Sequence, residues 1–314
     1  MISGKGVWIW KVYTLHGGDV DNVQVDKIVQ TALDLGLSHV FIKTHDGPFL
    51  YNVKWRNWPV WSGGVEEDLL PPVVAALQNV GIQCLGWTWP FIYNVEDQAK
   101  AHVARCKALG MAGLVLDIEG YHQDNRNWKK PGLEPTALSY MNALRAEGGD
   151  DFLLGFSSYR FPRIHPEVAY EPFLRECDFN TFQHYWVRSH NPSAQLDSAL
   201  VDYNNLYQKF AIEPLPTLPS GGAYPAGDWF PTEADWQGFI ARVEHHGLPG
   251  FSTWHWDSVT RPPMTPDVYN VIRDAPGVPP APPPPQEEDF LEMTAAERWQ
   301  IVSDDLLARG VIDS

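Results

Sequence analysis

The chain has 314 residues, enough for one large α/β domain or two smaller ones. Its formal charge is −16 at pH 7 with no Lys/Arg cluster, which argues against nucleic acid or an anionic membrane surface as a partner. Three scattered cysteines (Cys84, Cys106 and Cys177) form no CxxC or Cys/His cluster, so neither a disulfide framework nor a zinc site is indicated, and nothing calls for a cofactor. No 18-residue apolar run and no signal peptide is present, so no membrane insertion is expected, and synthesis is expected to be cytoplasmic.

Val7–Val12 is an aromatic, β-branched run and the first predicted strand. Val20–Leu35 carries apolar residues at helical spacing and ends at Gly36, and His39–Thr44 is the second strand. Asp68–Val80 is a helix with Pro71-Pro72 in its first turn, Gln83–Trp89 the third strand, and Val95–Leu109 a helix closed by Gly110. A fourth strand, Gly113–Gly120, follows, then a helix over Pro135–Arg145 and a fifth strand over Phe152–Tyr159. A short helix around Pro172–Glu176 leads to the sixth strand, Phe179–Trp186. Ser193–Phe210 is a long helix, and Leu215–Leu218 a weaker seventh strand. Thr232–His246 is a helix with Thr232 as N-cap, Gly250–Trp256 the eighth strand, and Pro266–Arg273 a last helix. Eight strands alternating with helices predict an α/β fold of the (β/α)8 TIM-barrel type over residues 1–275. The missing GxGxxG after the first strand counts against a doubly wound sheet. Residues 276–289 form a proline-rich linker, and residues 290–314 a tail with a short helix. Its stripe of Trp299, Val302, Leu306 and Leu307 suits docking on the barrel, self-association or a partner contact.

In such a barrel the site forms at the C-terminal ends of the strands. There the fourth strand delivers Asp117 and Glu119, spaced i, i+2 and so on one side, about 6–7 Å apart along the backbone. Leu114, Leu116 and Ile118 point the other way. The other strand ends supply Trp10, Lys43, His45, Trp87, Tyr159, Gln183, Tyr185, Trp254 and Trp256 as substrate-binding candidates. With 14 Trp in the chain, aromatic faces that stack on sugar rings and polar groups that bond hydroxyls point to a polysaccharide substrate. No HxH pair suggests a metal. Two acids side by side do not flank a scissile bond. Glu119 at the strand tip is therefore expected to act as general acid/base, with Asp117 below it raising its pKa and orienting an N-acetyl group of the substrate. The competing structural expectation is that both acids pair with Lys11, Lys43 or Arg160.

Gly113-Leu-Val-Leu-Asp117-Ile-Glu119 resembles the DxE strand of family 25 glycoside hydrolases, the peptidoglycan muramidases (lysozymes). It is similar, more weakly, to the last half of the DxxDxDxE motif of family 18 chitinases. Phe156-Ser157-Ser158-Tyr159, Phe182-Gln183-His184-Tyr185-Trp186 and the eighth-strand Trp extend the likeness over roughly residues 6–274. The resemblance implies a cell-wall-degrading glycosidase, and the linker and tail suit a phage-related lysis protein, released or delivered to the wall. Family 25 members carry an Asp on the first strand; Val7-Trp8-Ile9-Trp10-Lys11 has none. That departure favours the competing expectation of a non-catalytic glycan-binding barrel.

Overall fold

The computed structural model describes residues 2–56, 64–120, 126–260 and 266–276. The linker and tail expected beyond Pro276 lie outside the described residues. Eight strands form the barrel: β1 (Gly4–Ile9), β2 (His39–Asp46), β3 (Gln83–Trp89), β4 (Gly113–Asp117), β5 (Leu153–Ser157), β6 (Phe179–Asn180 with Gln183–His184), β7 (Ser220–Gly222) and β8 (Gly250–Trp254). All their mutual pairings are parallel, and β1 lies between β8 and β2. β6 is broken at Thr181-Phe182, yet it joins both neighbours: Phe179–Asn180 pairs with β5 and Gln183–His184 with β7. The ring therefore closes, and the fold is a (β/α)8 TIM barrel.

The helices around it are α1 (Val25–Asp34), α2 (Leu70–Asn79), α3 (Val95–Ala108), α4 (Glu134–Gly148), α5 (Tyr170–Glu176), α6 (Pro192–Phe210), α7 (Glu233–His245), α8 (Trp256–Thr260) and α9 (Pro266–Asp274). Thr232 caps α7 as expected: its hydroxyl accepts the Asp235 N–H at 3.1 Å while the Asp235 carboxylate accepts the Thr232 N–H at 2.8 Å. Two short additions escaped the sequence reading: Phe49–Leu50 pairs with β2, and Val53–Trp55 pairs with Val65–Asp68.

Strand alternation divides the core in two. Outward residues such as Leu114, Leu116, Ile118 and Phe156 pack against the helices. Inward residues Trp8, Phe41, Leu85, Trp87, Val115, Phe179 and Leu218 fill the barrel. Among them Trp8 donates its indole N–H to Ser220 Oγ and Ser252 Oγ, each at 2.9 Å.

The seventh strand lies at Ser220–Gly222, beyond the Leu215–Leu218 run predicted for it. A Cβ added at Gly221 would sit 2.7 Å from the Trp236 ring of α7, so the approach of that helix requires glycine where a β-branched residue would be expected.

Candidate active site

Asp117 is the last residue of β4 and is buried; Glu119 lies just past the strand end and is half-buried. Their common partner comes from β6: the Gln183 side-chain amide donates to Asp117 Oδ1 at 2.8 Å and to Glu119 Oε2 at 3.2 Å. Ser157 of β5 donates to the same Asp117 oxygen at 3.2 Å. Among the described residues neither acid forms an ion pair with Lys11, Lys43 or Arg160, and Lys43 pairs instead with Asp46 at 3.4 Å. The expectation of purely structural ion pairs is not met.

Both carboxyls titrate above their ordinary ranges. Burial raises Asp117, to about 6, against the Gln183 and Ser157 hydrogen bonds and the Lys43 charge. Burial and then the Asp117 charge raise Glu119 further, to about 8. The pair thus holds a proton near neutrality, with Glu119 its preferred carrier and Asp117 the anion.

A cavity of about 250 Å³ opens over the pair, lined by Trp10, Lys43, Trp87, Trp89, Asp117, Glu119, Gln183, Tyr185 and Trp254. The rings of Trp8, Trp87 and Trp254 meet edge to face, with centroids 5.6–5.8 Å apart, so the aromatic base is mutually braced. The buried Lys43 ammonium sits 4.6 Å over Trp87 and 4.5 Å over Tyr51, compensated by cation–π contact as well as by Asp46. Asp46 is held in turn by Arg126 at 3.0 Å. Asn52 bonds the carbonyls of Trp10 and Lys43 at 3.1 and 2.8 Å, tying the end of β1 to β2 where two cavity residues stand.

Three predicted site residues do not line this cavity. His45 is turned away by a β-bulge between Lys43 and His45, which reverses alternation along β2. Its ring lies 4.5 Å from His102 of α3, and Asp46 pairs with Trp89 on the cavity side. Arg105 accepts the displaced strand by bonding the Thr44 carbonyl. Trp256 follows the end of β8 at Trp254 and begins α8, so strand alternation does not carry it inward. It is fully buried, with its indole N–H 3.4 Å from His16. Tyr159 stands behind the site, its hydroxyl accepting the Gly120 N–H at 2.6 Å and its ring against His165. It therefore fixes the turn that follows Glu119. Trp89 also lines the cavity, on the same side of β3 as Trp87, although it is not among the substrate-binding candidates above.

Among the described residues no group of three or more His, Cys, Asp or Glu converges as metal ligands would, and no helix is long and apolar enough to cross a membrane.

Fold and site together define a TIM barrel with two acids at the C-terminal end of β4. No protein-family model matches the sequence, and no curated protein matches it significantly. Solved structures share the fold at low identity. A family 18 chitinase from Pseudoalteromonas aurantia is 12% identical with a TM-score of 0.57, over 86% of this chain and 100% of that one. An endo-1,4-β-D-mannanase from Thermotoga petrophila is 12% identical with a TM-score of 0.60, over 87% and 99%. A chitinase-like agglutinin from Robinia pseudoacacia is 10% identical with a TM-score of 0.55, over 86% and 98%.

Proposed function

We propose that the protein hydrolyses an N-acetylated polysaccharide of the chitin or peptidoglycan type, with Glu119 as general acid/base and Asp117 orienting the substrate's acetamido group. The observation that carries this is the shared amide. One Gln183 nitrogen holds both acids on the same side of the cavity, and among the described residues no third carboxylate lines it. Among the described residues the lining offers no enzyme-derived nucleophile opposite the acid, and the sugar's own acetamido carbonyl takes that place.

In the first step Glu119 gives its proton to the glycosidic oxygen as the C1–O bond breaks. The acetamido oxygen closes onto C1, while Asp117 accepts a hydrogen bond from the acetamido N–H. In the second, water attacks C1 and releases the acetamido oxygen. Its proton passes to Glu119, which is restored, and configuration is retained. The Trp10, Trp87, Trp89 and Trp254 rings supply faces for the sugar, and Lys43 a donor to its hydroxyls.

The test is release of reducing ends from N-acetylglucosamine oligomers and from peptidoglycan by the full-length protein. Release from either supports the proposal. Binding without release from any glycan would select a non-catalytic sugar-binding barrel, the reading favoured by the acid-free first strand. Trp254 and Trp256 separate by stability and affinity measurements. Trp256→Ala is expected to cost about 3–5 kcal/mol of stability by denaturant titration and to leave oligomer affinity unchanged. Trp254→Ala, which removes a cavity wall, is expected to weaken affinity about 10-fold.

A further inference from the structure

Arg160 follows β5 at the same end of the barrel, next to the Tyr159 that holds Gly120. It is half-buried, and its Nη1 is enclosed with no hydrogen-bond partner. The enclosed arginines elsewhere are paired: Arg105 with Asp68 at 2.7 Å, Arg126 with Asp46 at 3.0 Å and Arg145 with Asp178 at 3.0 Å. Among the described residues no carboxylate pairs with Arg160, and its guanidinium rests 5.0 Å over the Phe161 ring. A cation withdrawn from water without a partner is costly, and that cost is recovered when an anion arrives.

The surroundings place this cation beside the cavity. Tyr224 neighbours both: its ring meets the cavity residue Tyr185 edge-on at 5.6 Å, and its hydroxyl feels the charges of Arg160 and Glu119. Tyr185 and Tyr224 both flank Gly222 of β7, where an added Cβ would meet them at 3.3 and 3.2 Å. A guanidinium presents a planar fork matched to a carboxylate, and a neighbouring phenol adds a third donor.

We propose that Arg160, with the Tyr224 hydroxyl, receives a carboxylate carried by the glycan, so that a sugar beside the scissile bond is itself acidic or bears an acidic substituent. This rests on the hydrolase reading above and narrows its substrate. Arg160 would then set specificity by charge, while bond cleavage stays with Glu119.

The test uses two N-acetylated oligosaccharides, one with a uronic acid and one with a carboxylated ether substituent, each beside its carboxyl-reduced counterpart. The full-length protein is expected to show higher kcat/KM on a carboxylated member than on its reduced partner. Arg160→Met should lower that ratio by on the order of 10- to 100-fold, and Arg160→Lys should restore part of it. Which of the two pairs discriminates identifies where the carboxylate is borne. The same ratio is read from dissociation constants. Absence of all turnover with a retained affinity ratio would therefore refute the hydrolase reading alone. A wild-type ratio of one or less for both pairs, or a ratio unmoved in Arg160→Met, would overturn the assignment.

Discussion

Glu119→Gln is expected to lower glycan hydrolysis by about 10²–10⁴, the range for loss of a general acid–base group, with little change in oligomer affinity. The substitution keeps the shape of the side chain and its place beside Gln183 while removing the proton assigned to the leaving oxygen. Stability should move the opposite way. Burial and the Asp117 charge hold the Glu119 carboxyl well above its ordinary range. Its folded pKa thus exceeds the unfolded one, so the stability that Glu119 contributes is full at low pH and is lost as pH rises through the folded value of about 8. The glutamine variant escapes that loss and should resist denaturation better than the parent in mildly alkaline solution. Full activity in Glu119→Gln would refute its assigned role.

Asp117→Asn is expected to be nearly as damaging and to change the pH profile as well. The proposed reaction needs Asp117 ionised and Glu119 protonated. The rate should therefore fall below about pH 6, as Asp117 gains a proton, and above about pH 8, as Glu119 loses one. Removing the Asp117 charge removes one of the causes that raise Glu119, so the alkaline limb should move to lower pH. The acidic limb should disappear, since the group that titrates there is gone. A pH–rate profile of kcat/KM for the two proteins reads both effects. An unmoved alkaline limb would show that the carboxyls are not coupled as the structure implies.

Much of this site was legible in the sequence because β4 obeys strict alternation. Leu114, Leu116 and Ile118 fix the outward side, so Asp117 had to face inward, and Glu119 was expected beside it. Gln183 on β6 and Trp254 on β8 followed from the same rule, and both line the cavity. The rule fails where the backbone departs from it. Nothing in His39–Asp46 announces the bulge that sends His45 outward, since the groups that stabilise it, Arg105 among them, come from distant parts of the chain. Nor does Trp254-His255-Trp256 reveal that the strand stops at Trp254. β7 was misplaced for a related reason: Leu215–Leu218 has the apolar character of a strand, whereas Ser220–Gly222 owes its composition to a helix packed against it. Of the two families that the fourth strand resembles, the chitinases are represented among the structures sharing this fold, although at 10–13% identity that likeness speaks for the fold alone.

In the proposed reaction the substrate's acetamido group acts in place of an enzyme nucleophile. This is tested most directly by comparing cleavage of an N-acetylglucosamine oligomer that the protein hydrolyses with cleavage of the same oligomer after de-N-acetylation. The predicted result is hydrolysis of the first with retained anomeric configuration and none of the second; equal cleavage of both, or inversion at the anomeric carbon, would contradict it.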